Sequence, residues 1–534
     1  MESILYNARL FSENGENDGK TALLIRDGHI ALTGTDAAVL KAAAPGCERT
    51  DMKGAYVYPG LCDSHLHILN KAYTDSQLML EGMKSREEVL EAVRRQAQTL
   101  PSGARIDGRG YNEDLWADRR PIVKAELDAI CPDRAVRLTR VCGHKVIANT
   151  KALEEKGVTG AYRPPVGGTV DPETGTVTEN AVFDLFCGDE NPGVEDCMQK
   201  LLQGMRYAAD LGLTAIFSDD LASGPYGAET VYEAYRRLDA EGRMPVRVVE
   251  QCALDTDEEM EAWAGRGRAY MSGSDFFRLG PRKLFADGSL GAGTAWLRQP
   301  YADRDGTGVC VTGTEEMKKL FVTAHRLGYP CIVHAIGDGA VQCVLEAASY
   351  AKSVLPEAGN LPDGIVHCQI TGPDQLERIR EEGLCVYAQP VFAEYDLHIC
   401  ASRVGTERES TSYAWKTLYD SGVTVSSGSD CPVEDASPAG NIYCASERRD
   451  YQGFPASGWL PAQRLTRREA ILCHTVMAAR CVGMEDRMGR IAPGYFADFS
   501  VYGEDLETVS AKRLLRLRPL MTVVNGKIRL QGTR

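Results

Sequence analysis

The sequence predicts an α/β protein: a parallel (β/α)8 TIM barrel carrying an accessory β-sandwich domain built from both termini. Three observations point there. Between residues 195 and 430 short apolar runs alternate with helical stretches, the pattern of successive βα units in a parallel sheet. Before and after this body the chain reads as strands and tight turns. Finally, His65, His67, His144, His334, His367, Lys283 and Asp430 fall at or near strand ends, and parallel barrel strands bring their C-terminal ends to one face.

Taken in order, residues 4–11, 22–26 and 29–32 read as strands, the last two joined by Asp27-Gly28, a tight-turn pair. His29 follows that turn and is expected to be an exposed hairpin residue rather than a ligand. Residues 55–58 form a further short strand that Pro59-Gly60 breaks. A helix starts at Ser85, where Glu88 completes a capping-box pattern. The Gly- and aromatic-rich segment 106–116 suits a loop lining a pocket or the surface. Residues 135–141 read as a strand ending at Cys142-Gly143-His144, and 167–175 as a turn-rich hairpin. The alternation follows: strands at 214–219, 246–250, within 276–285, and at 331–334, 364–367, 384–388 and 423–430, with helices at 195–211, 228–241, 314–327, 339–354 and 374–382. The tail, 489–502 and 521–528, returns to strand-turn-strand pieces, the second around Asn525-Gly526. The expected domains are 1–56 and 481–534 as the two parts of the accessory β domain, and 57–480 as the barrel with insertions.

Composition narrows the function classes. A formal charge of −15 over 534 residues, with no basic patch, argues against a nucleic-acid partner. The most basic run, 512–518, reads as an exposed helix or strand face. The 17 cysteines cannot all pair, and Cys331, Cys343 and Cys385 lie inside apolar runs, where a free thiol behaves as a small hydrophobe. Met1-Glu2-Ser3 opens no secretory pattern, and no stretch approaches the ~20 apolar residues a membrane span needs. The expected setting is a reducing cytoplasm, with no membrane partner.

The chemistry centres on His65 and His67. At i and i+2 on extended backbone both side chains point to one face, and imidazole is a common ligand of zinc and related ions. Asp63 and Ser64 are candidates to orient a ring N–H. His334 ends one apolar strand, His367 the next, Lys283 lies in an earlier strand, and Asp430 follows Ser427-Gly428-Ser429. These six side chains are expected to converge on a divalent metal, zinc first, with Mn, Fe or Ni as alternatives. His325, His398 and His474 lack such placement and are left out with His29.

Several motifs carry a resemblance. Residues 59–67 (Pro-Gly-Leu-Cys-Asp-Ser-His-Leu-His), Gly143-His144 with Asn149, 283–291 around Lys283 and Asp287, 334–338, His367-Cys368-Gln369, 429–433 and the tail 489–494 with Ala497-Asp498 make the chain similar, over nearly its whole length, to the amidohydrolase superfamily. Within it, the chain resembles the YtcJ-like branch that includes N-substituted formamide deformylases. The resemblance implies that His65, His67 and Asp430 hold one metal and His334 and His367 a second. Lys283, carboxylated by CO2, would bridge the two; without the carbamate the site would hold one ion. It implies Asp430 as proton carrier and His144 as hydrogen-bond donor to the substrate oxygen, with Tyr111, Trp116, Asp287 and Ser289 as weaker pocket candidates. Relatives also suggest a homodimer.

The expected reaction is metal-assisted hydrolysis of an amide-type C–N bond in a small N-acyl or N-formyl compound, by water activated on the metal. A mononuclear deaminase or cyclic-amide hydrolase on the same barrel is the enzyme alternative. Gly337 stands where related deaminases place the glutamate of His-x-x-Glu, which weakens the deaminase reading. A catalytically inactive assembly protein is the non-enzyme alternative, opposed by all six ligand positions being filled.

Overall fold

Strands buried on both faces organise the molecule. A computed structural model describes residues 2–14, 19–140, 145–158, 162–165, 167–186 and 192–531. The chain divides into two compact units: Met1–Ile68 with Met198–Ser223 and Ala228–Arg534, and Leu69–Cys197 with Gly224–Gly227.

The first unit is built on an eight-stranded sheet, in chain order β1 (Leu61–Leu66), β2 (Leu213–Ser218), β3 (Arg247–Ala253), β4 (Phe277–Phe285), β5 (Cys331–Ala335), β6 (Gly364–His367), β7 (Cys385–Ala388) and β8 (Val425–Ser427). Each strand pairs in parallel with the next. Their near-continuous apolar runs suit a parallel sheet covered on both faces. Cys62, Phe217, Val249, Ile332, Val366 and Tyr387, from six of the strands, share one buried cluster with Met484, Met488 and Phe496. The last strand returns to the first: Asp430 N–H donates to His65 O (2.8 Å) and His67 N–H to Cys431 O (2.8 Å). Asp63 accepts from Ser429 Oγ (2.6 Å), so the sheet closes at this seam.

The barrel's first strand differs from expectation. The strand read at 55–58 is Tyr56–Pro59 of another sheet, antiparallel to Phe499–Tyr502. The chain then passes through Gly60 into β1, which itself contains His65. A Cβ at Gly60 would sit 2.1 Å from Thr214 Oγ1, so only glycine fits this crossing.

A four-stranded sheet near the N-terminus and a five-stranded sheet joining Arg9–Leu10 and Tyr56–Pro59 to Phe499–Tyr502, Met521–Val524 and Lys527–Gln531 complete the unit. Leu5, Leu23, Ile25 and Ile30 pack with Val57, Phe499, Val501 and Val523 in one core. Asp27-Gly28 (φ 48°, 80°) and Asn525-Gly526 (φ 55°, 71°) both have the left-handed pairs of tight hairpins. In the tail segment 489–502 only Phe499–Tyr502 is a strand, because Gly489 and Gly494 turn the chain at positive φ and Pro493 cannot donate to a ladder. Buried Arg247, opening β3, donates Nε to Asp498 Oδ2 (2.6 Å) and Nη2 to Asp498 Oδ1 (3.0 Å), tying the barrel to the terminal sheet.

The second unit carries a six-stranded sheet of Leu78–Met79, Ile106–Tyr111, Val136–Arg140, Lys145–Ala148, Gly168–Asp171 and Thr176–Glu179. Two expectations change here. Most of segment 106–116 is a strand rather than a loop. The strand read at 135–141 pairs with it in parallel and is no barrel strand. Local periodicity marks a strand but not its partner. The helix Arg86–Thr99 starts as expected, with Ser85 Oγ accepting from Glu88 N–H (3.1 Å), but the Glu88 carboxylate accepts from Lys84 N–H instead of closing the box.

Among the described residues all 15 cysteines are free thiols, and no helix is long and apolar enough to cross a membrane.

Candidate metal centre

His65 lies near the end of β1 and His67 just past it, β5 and β6 carry His334 and His367, and Asp430 lies just past β8. His65, His67 and Asp430 form a group able to hold a metal ion, their ligand atoms all within 4.8 Å of one another. Asp430 Oδ1 lies 3.4 Å from His65 Nε2 and 3.1 Å from His67 Nε2. The His334 ring lies 4.4 Å from that of His367, which lies 5.7 Å from that of His65.

Each ring is tied on its outer side to an oxygen. His65 Nδ1 meets Gln251 Oε1 (2.5 Å), His67 Nδ1 meets Asp219 O (2.9 Å), His334 Nε2 meets Gly288 O (3.0 Å) and His367 Nδ1 meets Gln389 Oε1 (2.8 Å). An oxygen of this kind accepts, so the outer nitrogen carries a hydrogen, and in the neutral ring the inner one keeps its lone pair. The inner nitrogens are Nε2 of His65, His67 and His367 and Nδ1 of His334.

Burial disfavours charge on the rings. It lowers the pKa of His65, pulls His334 down to about 4 and takes His367 well below its ordinary value. His67 differs: burial opposes its charge, but Asp430 and Asp219 raise it to about 9. The Asp430 carboxyl is pushed up by burial, yet the neighbouring imidazoles of His65 and His67 hold it well below its usual range.

Lys283, in β4, is fully buried, and its Nζ finds no hydrogen-bond partner among the described residues. Asp219 Oδ2 lies 3.5 Å from it, and the Phe285 ring lies 3.6 Å away. Burial lowers the pKa of this amine, with Asp219 and Asp430 opposing. An imidazole–carboxylate donor set, inner nitrogens bearing lone pairs and an orphaned buried amine together fit a divalent cation.

Not every expected site residue joins this group. Tyr111 and Trp116 are buried in the core of the second unit with Val89, Ile106 and Leu138, so packing claims their rings instead of a pocket wall. His144 lies outside the described residues. Asp287 is a clasp: its oxygens accept from Ile336, Gly337 and Trp296 N–H (3.0, 2.8 and 2.8 Å). Burial raises its carboxyl to about 7 against those bonds. Ser289 is exposed and caps Ala292 N–H (3.3 Å). Asp63 braces the seam and His65 N–H rather than a ring, and Ser64 contributes only its carbonyl, to Gln251. The histidines left out are anchored elsewhere: His325 to Asp363, His398 to Asp450 and His474 to Cys62 O. His29, half-buried, packs on Phe496.

No sequence motif marks Gln251, Gln389 or Asp219, although each lies in or just past a strand, as the histidines do. Phe392 is stacked on His367 (5.7 Å, 16°), and Phe285 lies beside His334 (5.7 Å).

Residues 48–529 match the amidohydrolase family. The chain belongs to that family. This amidohydrolase, a hydrolase of carbon–nitrogen bonds, is 30% identical to the YtcJ protein of Bacillus subtilis (strain 168), covering 99% of both chains. It is 28% identical to the N-substituted formamide deformylase of Arthrobacter pascens, over 99% of this chain and 98% of that one. Its structure is similar to that of an uncharacterized metal-dependent hydrolase from Pyrococcus furiosus (TM-score 0.79, 27% identity), covering 95% of this chain and all of the other.

Proposed function

We propose that this amidohydrolase cleaves the amide-type C–N bond of a small N-acyl or N-formyl compound. The observation that carries the reading is the gathering of His65, His67 and Asp430, with His334 and His367 alongside, where β1, β5, β6 and β8 end. The likeness to an N-substituted formamide deformylase supports the bond type.

In this reading His65, His67 and Asp430 hold one cation, His334 and His367 a second, and zinc is the ion, since imidazole and carboxylate donors suit it. When bound, the metal supplies Lewis acidity, making water a stronger acid and drawing charge from a carbonyl oxygen. Lys283, a buried amine whose charge burial opposes, is the residue to react with CO2; the carbamate then gives the orphaned side chain an anionic end. Asp430, ionised in this site, takes the proton of the attacking water and delivers it to the leaving nitrogen. A carbon–oxygen bond forms, the carbon–nitrogen bond breaks, and the products are a carboxylic acid and an amine. Phe285 and Phe392 flank the histidines and give the substrate apolar walls. His144 keeps the role of donor to the substrate oxygen on resemblance alone.

The test is a screen of N-acyl and N-formyl compounds with zinc-loaded parent and Asp430→Asn. Parent turnover of at least one compound is expected, with a drop of about 10²–10⁴ or more in the variant. An inert parent, or a variant as fast as the parent, overturns the reading.

A further inference from the structure

We infer that Gln251 and Gln389 are positioning residues that lock His65 and His367 with hydrogen on Nδ1, so that both Nε2 lone pairs are presented inward, to the metal centre. A neutral imidazole can carry its proton on either nitrogen. Were it on Nε2, a hydrogen would stand where a cation must bind. Something outside the ring has to choose.

Each glutamine can choose only one way, because its far end is committed. Gln251 Nε2 donates to Ser64 O (3.0 Å) while Oε1 lies 2.5 Å from His65 Nδ1. Gln389 Nε2 donates to Tyr387 O (2.8 Å) while Oε1 lies 2.8 Å from His367 Nδ1. Turning either amide over would set its oxygen against a backbone carbonyl. Both amides are at most 2% exposed, so water cannot compensate a wrong pairing. Gln251 also grips the carbonyl just before His65, which limits how that ring can turn. His367 is confined further by Phe392 on its face.

The two glutamines complete a set. His67 and His334 direct their outer N–H to the backbone oxygens of Asp219 and Gly288, so all four outer acceptors are uncharged. The negative charge among the ligands then comes from Asp430, together with a carbamate if Lys283 carries one. Where backbone lies beside a ring, its carbonyl does the work. His65 and His367 have a side-chain amide in that place, with the same acceptor and the same lack of charge.

The inference rests on the metal-centre reading, and its test separates the two. Tautomers are read in metal-free protein by 15N NMR of labelled histidine, and zinc affinity by competition with a chelator. In the parent, Nδ1 of His65 and His367 is expected to be protonated. Gln251→Leu and Gln389→Leu should lose that preference for the ring they face and bind zinc about 10–100-fold more weakly, with the far-ultraviolet circular dichroism of the parent. Gln251→Glu and Gln389→Glu keep an oxygen toward the ring and, buried and protonated on the other oxygen, still donate to the backbone carbonyl, so they should retain the parent tautomer. If a leucine variant does not fold, asparagine, one methylene shorter, leaves the ring out of reach and carries the same two outcomes. A parent carrying hydrogen on Nε2 of either ring, or leucine variants with parental tautomer and affinity, overturns the inference alone. A parent that binds no zinc overturns the metal-centre reading instead.

Discussion

His334 Nδ1 and His367 Nε2 face each other 2.9 Å apart, each in a ring whose other nitrogen already donates to an oxygen. Two lone pairs at that distance repel unless a proton or a cation lies between them. Burial pulls His334 down to about 4 and His367 well below its ordinary value, so at neutral pH a shared proton is disfavoured. In that state the two facing lone pairs are chemically suited to a cation between them.

The seam between β8 and β1 leaves no room at Gly428. A Cβ there would lie 2.6 Å from His65 N, 2.9 Å from His65 O and 3.0 Å from Asp63 Oδ1. Backbone cannot move aside as a flexible side chain can, and overpacking of this kind typically costs about 1–3 kcal/mol. Gly428→Ala is expected to lower metal occupancy by at least half after dialysis, and to lower thermal stability. Parental metal content, measured by plasma mass spectrometry, would show that the ligands tolerate a wider seam.

Glu250, fully buried in β3, accepts from Asp220 and Leu221 N–H through Oε1 (2.9 and 3.2 Å). Burial, then Asp220, pushes its carboxyl well above the ordinary value. A raised folded pKa means stability that is fully present below the unfolded value near 4.5 and is lost as pH rises toward the folded value. Within that window the loss is about 1 kcal/mol per pH unit for one proton. Glu250→Gln keeps the Oε1 acceptor and removes the titration. Urea unfolding at pH 5, 6 and 7 should show the variant gaining on the parent at each step; equal slopes would mean that Glu250 is ionised in the folded protein.

Arg247 and Asp498 form a buried bidentate pair, with the guanidinium lying 3.7 Å from the centre of the Phe496 ring. Arg247→Met leaves the Asp498 carboxylate buried with only Asn525 N–H (2.7 Å) among its described hydrogen bonds, and is expected to cost about 3–5 kcal/mol. Adding Asp498→Asn should recover part of that loss, because the stranded charge is gone. A single variant within 1 kcal/mol of the parent, by the same urea titration, would refute the tether.

Much of the fold was legible because barrel strands announce themselves locally. Ile332-Val333-His334 and Ile365-Val366-His367 are apolar runs ending in a histidine, and both form parallel strands as read. Segments 106–116 and 135–141 show why other assignments failed. Their alternation identifies extended backbone, yet nothing local says that they pair with each other in a separate sheet instead of joining the barrel. The aromatic pair Tyr111 and Trp116 suggested a pocket by composition, and packing put both in a core.

By itself the sequence determined which side chains could bind a metal: the spacing of His65 and His67 and the strand-end histidines are chain-local properties. The tertiary structure alone decided which nitrogen of each ring faces inward. That choice depends on oxygens far along the chain, Gln251 lying 186 residues from His65 and Asp219 lying 152 from His67. A hydrogen bond is set by distance and direction in space, and only the closed sheet brings those partners within reach.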